Sequence, residues 1–171
     1  MADELKRVIY LGKTIDDASA GTVITKLMEL DMEDPKKPIR FVVNTYGGYM
    51  DAQFAIYDAV RVCAAPVVTI GIGKIMSAGV LLLACGEKGE RLIARNARVM
   101  IHELSAGGWG KVSEIENGAK EERRQQQQWE QLIAHETGKS VGEVRAVMDR
   151  HVDQFMTARE AKAFGIVDRV M

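Results

Sequence analysis

The stretch Val67-Val68-Thr69-Ile70-Gly71-Ile72-Gly73-Lys74-Ile75-Met76-Ser77-Ala78-Gly79-Val80 decides how this chain is read. Pro66 introduces a run from Val67 to Ile72 that is apolar and β-branched almost throughout. Such a run predicts a strand buried on both faces. Gly71 and Gly73 then predict a turn, and the apolar residues beyond it start a helix around Ser77. A serine in a sharp strand-to-helix turn presents its hydroxyl outward, beside backbone N–H groups able to bind an oxyanion. An ordinary N-cap serine occupies the same kind of position. The motif alone therefore leaves nucleophile and cap open.

On the N-terminal side the same alternation repeats. Arg7 to Leu11 is β-rich and stops at Gly12. From Asp16 to Leu30, the residues Ala20, Val23, Ile24, Leu27 and Met28 recur at helical spacing behind a cap at Asp16 or Asp17. A proline-bearing loop, Met32 to Pro38, leads to a second strand, Ile39 to Val43. A helix from about Met50 to Cys63 is expected to bury Phe54, Ala55, Tyr57 and Ala59 to varying degrees. Apolar strands separated by helix-sized segments predict an α/β fold with a parallel sheet covered on both faces by right-handed crossovers. Between the second strand and its helix lies Asn44-Thr45-Tyr46-Gly47-Gly48. Its glycines suit either close approach of a ligand to the backbone or a tight βα turn.

On the C-terminal side, Arg98-Val99-Met100-Ile101 runs into His102 at the carboxyl end of a strand, where open α/β sheets place their ligands. A satisfied polar residue at a strand end is the competing reading. His135 suits a helix end, close to the last carbonyls. His151 suits a salt bridge or an interface. Asp153, in an extended linker before Phe155, is one of several carboxylates able to orient an imidazole. A polar helix from about Val112 to Glu136 ends at Gly138, and its apolar positions, Ile115, Ala119, Trp129, Leu132 and Ile133, are thinly spread. It is expected to project and pack against a partner. Ser140 with Glu143, and Thr157 with Glu160, have capping-box spacing. A last helix and a strand from Ile166 to Val170 complete the pattern.

Composition limits the function classes. The 171 residues suit one domain with a sizeable core. With 23 basic against 24 acidic side chains and a net charge of −1, nothing favours nucleic acid or an anionic membrane. The start, Met1-Ala2-Asp3-Glu4-Leu5-Lys6, lacks the basic and apolar pattern of a signal peptide. The longest apolar run, about Ile75 to Cys85, is short of the roughly 20 residues that cross a bilayer. Cys63 and Cys85 sit among apolar neighbours and read as buried thiols of a cytoplasmic protein. The glycine motifs match neither the phosphate loop nor the dinucleotide fingerprint. The histidines lack metal-ligand spacing, so no metal and no cofactor are expected.

Together these motifs resemble the proteolytic subunit of the caseinolytic (Clp) protease, a serine peptidase of the crotonase-like fold. That family's Asn-Ser-Pro-Gly-Gly is similar to Asn44-Thr45-Tyr46-Gly47-Gly48, and its Ala-Ser-Met-Gly-Ala to Met76-Ser77-Ala78-Gly79-Val80. Its Arg-Val-Met-Ile-His stands as Arg98 to His102, and its Asp-Arg-Phe resembles Asp153-Gln154-Phe155. Gly165-Ile166-Val167-Asp168 completes a likeness running from about Lys6 to Val170.

The resemblance implies one domain over residues 1–171, built of repeated ββα and βαβ units with a projecting handle over about 103–137. It makes Ser77 the nucleophile, His102 the general base and acid, and Asp153 the orienting carboxylate. The N–H groups of Gly48 and Ala78 become the oxyanion hole, and Gly107, Gly108, Trp109 and Gly110 the segment along which a peptide substrate adds as a strand. It also implies a homo-oligomer, a heptameric ring stacked as a double ring, that degrades unfolded polypeptides inside a chamber. Its alternatives are a catalytically silent ring subunit and a crotonase-fold acyl-CoA hydratase or isomerase.

The departures carry expectations too. Before Arg7 there is little room for the N-terminal helix and axial loop that gate the family's pore and dock its hexameric AAA+ unfoldase. Dependence on that partner is left open. Tyr46 replaces a proline, and Glu103-Leu104 replaces Gln-Pro. His151-Val152 stand where many members carry an Asp-Arg pair linking the rings, so a histidine there would make assembly sensitive to pH.

Overall fold

A computed structural model describes residues 4–148 and 152–171. The reading of His151 lies outside the described residues. After a short 3-10 turn, Glu4–Arg7, strand β1 (Val8–Leu11) enters the sheet. Helix α1 (Asp17–Glu33) starts on a reciprocal cap. The Asp16 carboxylate accepts from Ser19 N–H at 2.7 Å, and Ser19 Oγ accepts from Asp16 N–H at 2.9 Å. Serine here does the work that glutamate usually does in a capping box. Ala20, Val23, Leu27 and Leu30 form its buried stripe, while Ile24 is half-buried and Met28 faces solvent.

Strand β2 (Ile39–Thr45) pairs parallel to β1. Helix α2 (Met50–Val62) buries Ala52, Ile56, Tyr57, Ala59 and Val60. Ala55, expected inside, is exposed. The inward face follows the i, i+4 row from Ala52 through Ile56 to Val60, and Ala55 lies off it. Strand β3 (Val67–Met76) is the longest, and it pairs parallel to β2.

Here the sequence reading needs correcting. Gly71 and Gly73 do not end the strand; they let it change partner. Ile70 and Gly71 pair with Leu92 and Ile93 of β4 (Leu92–Ile93). Lys74, Ile75 and Met76 pair instead with Arg98, Val99 and Met100 of β5 (Arg98–Ile101). Between the two pairings Gly73 has φ +64°, a backbone state that costs glycine little. The sheet thus forks at β3. One arm continues through β4 to β7 (Arg169–Val170), and the other through β5 to β6 (Gln154–Thr157). Every pairing is parallel except β5 with β6. Asp153, read as part of a linker, therefore leads into a strand. The final strand is shorter than expected, because Ile166 and Val167 are buried in the turn before it.

Helix α3 (Ala78–Ala84) is buried at every residue. Each of its three leucines contributes about 2 kcal/mol by leaving water, which fixes the element that carries Ser77 at its start. Helix α4 (Val112–Thr137) ends on Gly138 in the left-handed conformation. Its first half is exposed almost throughout, as the thin apolar pattern predicts. Its last turns are not: Trp129, Ile133 and Ala134 are buried. The helix is anchored at one end and projects at the other. Helix α5 (Val141–Met148) folds back on it, with Arg145 bonded to Glu130 at 2.7 Å.

Helix α6 (Ala158–Phe164) starts on the Thr157–Glu160 capping box, as its spacing predicts. A clasp joins the starts of β4 and β7. The Asp168 carboxylate accepts from Arg91 Nη2 at 2.6 Å, from Arg91 Nε at 2.9 Å and from Gly89 N–H at 2.8 Å. These bonds hold its pKa down to about 2. At the foot of α4 the Glu136 carboxylate is buried. Burial opposes its ionisation, but the Tyr57 hydroxyl, Arg61 and Lys88 more than offset that and hold its pKa below the usual range. Both cysteines are free thiols; Cys85 is buried and Cys63 half-buried. Burial pushes the Cys85 thiol up to about 12. Among the described residues no helix is long and apolar enough to cross a membrane.

Candidate active site

Strands β3, β5 and β6 stop or start at one place. Met76 at the end of β3 pairs with Met100, and the Ser77 N–H donates to Met100 O at 2.8 Å. Ile101 at the end of β5 pairs with Gln154 at the start of β6. Ser77, His102 and Asp153 each lie one residue beyond a paired strand. Continuing the β5–β6 register by one step sets Asp153 opposite His102.

Ser77 has φ +52° and ψ −124°, the one positive φ outside glycine among the described residues. Such a conformation costs on the order of 1–3 kcal/mol and persists only where its surroundings impose it. Although Ser77 stands at the N-cap position of α3, its side chain makes no capping bond. Its hydroxyl lies 2.8 Å from Nε2 of His102 instead. Of the two readings of this serine, the cap is not the one the geometry displays.

The glycine turn packs directly against it. A Cβ on Gly47 (φ +105°) would lie 2.7 Å from Ser77 Cβ and 2.9 Å from Met76 O. One on Gly48 (φ +156°) would lie 2.0 Å from Ile15 O. Both glycines are thus required by close approach of backbone. The turn is pinned by Ile15 N–H to Gly47 O at 2.9 Å, Tyr49 N–H to Ile15 O at 2.8 Å and Thr45 Oγ1 to Lys13 O at 2.7 Å. Among the described residues, the N–H groups of Gly48 and Ala78 have no acceptor.

A small cleft opens beside Ser77, Ala78 and His102, closed by Met50, Leu104, Gln126 and Trp129. Gln126 Oε1 accepts from Leu104 N–H at 2.8 Å, so α4 fastens the segment that follows His102. None of these four lining residues is read as a site residue from the sequence. The available signal is the spacing of Gln126 and Trp129, three apart and hence on one face of α4.

The remaining candidates lie further out. Asp153 is exposed, and among the described residues no hydrogen bond joins it to His102. Gly107, Gly108, Trp109 and Gly110 form an exposed loop between β5 and α4 and do not line the cleft. Among the described residues, no group of three or more His, Cys, Asp or Glu side chains could hold a metal ion.

The profile of the Clp protease family matches residues 2–171. The chain belongs to that family. It is 43% identical over 166 residues to the ATP-dependent Clp protease proteolytic subunit 1 of Bifidobacterium longum, covering 96% of this chain and 70% of that protein. It is 42% identical over 166 residues to the ATP-dependent Clp protease proteolytic subunit 2 of Corynebacterium jeikeium, with 96% of this chain and 78% of that protein covered. As a member of the Clp protease family, with relatives that are proteolytic subunits, the chain is a serine peptidase. Neither the silent ring subunit nor the acyl-CoA enzyme is favoured beside that membership.

Proposed function

We propose that this chain is an endopeptidase that cleaves unfolded polypeptide through an acyl-enzyme formed on Ser77. The observation that carries the proposal is the 2.8 Å contact between Ser77 Oγ and His102 Nε2, with the serine held in a strained turn that frees its hydroxyl. His102 Nε2 takes the hydroxyl proton as Oγ bonds to the scissile carbonyl carbon. The N–H groups of Gly48 and Ala78, without an acceptor among the described residues, receive the oxyanion. Each such donor is worth about 3 kcal/mol in the transition state. His102 then hands its proton to the leaving nitrogen, and a water repeats the sequence to release the acyl group.

Asp153 is the orienting carboxylate in this reading. The register of β5 and β6 supports it, because it sets Asp153 across from His102. Closing the triad requires the exposed carboxylate to turn onto His102 Nδ1. The exposed loop 107–110, ahead of α4, is the segment on which an extended substrate lies. The exposed first half of α4, with Val112 and Ile115 in solvent, is the handle by which copies of the chain assemble into a heptameric ring and stack in pairs. The relatives named above are ATP-dependent; a hexameric unfoldase feeding such a chamber, in the cytoplasm, belongs to the same proposal.

Two measurements on one sample test it: particle mass in solution, and labelling by a fluorophosphonate with the modified residue located by mass spectrometry. A label on Ser77 in a particle of seven or fourteen chains is expected. A particle that turns over peptide while Ser77 stays unlabelled would overturn the chemistry, and a labelled monomer would overturn the chamber.

A further inference from the structure

The cleft beside the nucleophile has a volume of about 20 Å³. That is hardly more than one water molecule occupies by the same kind of measure. Two of the residues that close it are large and well held. Trp129 is 4% exposed, on the anchored half of α4. Leu104 is tied to the same helix through Gln126. Met50, the first residue of α2, closes the cleft from another side.

Which substrate residue meets this cleft follows from the chemistry proposed above, on which this inference rests. His102 must reach the leaving nitrogen, so the leaving side of the peptide lies toward the imidazole. The acyl residue then lies toward Ala78, Met50 and Trp129. We infer that Trp129 sets substrate choice by filling this pocket, so that the protein cleaves after small residues (alanine, serine, glycine) and rejects leucine and phenylalanine. The assignment also gives a use to a side chain held at a cost. The indole Nε1 of Trp129 is buried and has no acceptor among the described residues, whereas a core tryptophan ordinarily finds one. A leucine or methionine would fill a core position there without an unmet donor.

The test uses the assembled full-length protein and fluorogenic tetrapeptides ending in alanine, serine, leucine or phenylalanine before an aminomethylcoumarin. These vary the acyl residue and keep the leaving group constant. The expected kcat/KM for alanine exceeds that for leucine by on the order of tenfold or more, the scale on which pocket size discriminates. Trp129→Met is expected to remove or reverse that ratio, which is read within each variant and does not require its overall rate to match wild type. Trp129→Leu serves if the methionine variant assembles poorly.

A wild-type preference for leucine or phenylalanine, or a ratio unmoved in both variants, would overturn the inference. Inactivation rates with peptidyl phosphonates of the same four residues give the same ranking if turnover is slow. Fluorophosphonate labelling runs alongside: labelled Ser77 with the wrong ranking sinks the inference alone. An inert protein without the label sinks both it and the serine mechanism.

Discussion

Nε2 of His102 stands 2.8 Å from the hydroxyl of Ser77, although helix α3 and strands β4 and β5 lie between the two residues in sequence. The parallel pairing of Met76 with Met100 brings their chain segments side by side. One hydrogen bond, from Ser77 N–H to Met100 O, then sets the serine against the end of β5.

A pair acting as one unit should be lost as one unit. Ser77→Ala, His102→Ala and the double variant are each expected to lower kcat on a fluorogenic peptide to a common floor, by on the order of 10⁶. Multiplying losses in the double variant would show that the two residues act separately.

Asp153→Asn removes the charge and keeps the shape. Loss of an orienting aspartate lowers kcat by on the order of 10⁴, less than loss of serine or histidine. Activity within a few-fold of wild type would pass the role to another carboxylate. Circular dichroism should be unchanged, because Asp153 is exposed.

Gly47→Ala and Gly48→Ala should both destabilise, since each needs a positive φ and each Cβ would meet neighbouring backbone. The expected cost is about 1–3 kcal/mol for the backbone conformation alone, with more for the clash at Gly48. Gly47→Ala presses on Ser77 Cβ, so it should also depress kcat in protein that remains folded. Thermal denaturation and a fluorophosphonate titration of active sites separate the two effects.

The Arg91–Asp168 clasp predicts an acid limit. The Asp168 carboxyl is held at about 2 against an ordinary 3.8. Its contribution is therefore complete above about pH 4 and lost as pH falls toward 2. Asp168→Asn should lower stability at pH 7 by about 2 kcal/mol, a figure discounted for partial exposure. It should also flatten the fall in melting temperature between pH 4 and 2. An unchanged acid profile would assign that fall to other carboxylates.

Much of the fold is readable from local chemistry. Asp16, Ser140 and Thr157 announce helix starts by short-range capping, and all three helices begin where their spacing says. The errors arise where a distant partner decides. Gly71 and Gly73 read as a turn because nothing local reveals that β5 will take over from β4. Asp153 reads as linker because its strand exists only against β5. Ala55 fails for a smaller reason: a four-residue apolar cluster on α2 does not say which of its members stays outside. At the site, Ser77 and His102 are visible as motifs at strand ends. Trp129 is not, since its place in the cleft depends on how α4 returns to the core.

The fork at β3 separates two properties that usually travel together. The β4–β7 arm, closed by Arg91 and Asp168, carries no residue of the proposed chemistry. The β5–β6 arm carries His102 and Asp153. Loss of the Arg91–Asp168 clasp should surface as heat or acid sensitivity with turnover intact, and substitution of His102 or Asp153 as lost turnover in a chain that melts normally. Thermal tolerance and catalytic rate are thus adjustable one at a time, on opposite branches of a single strand.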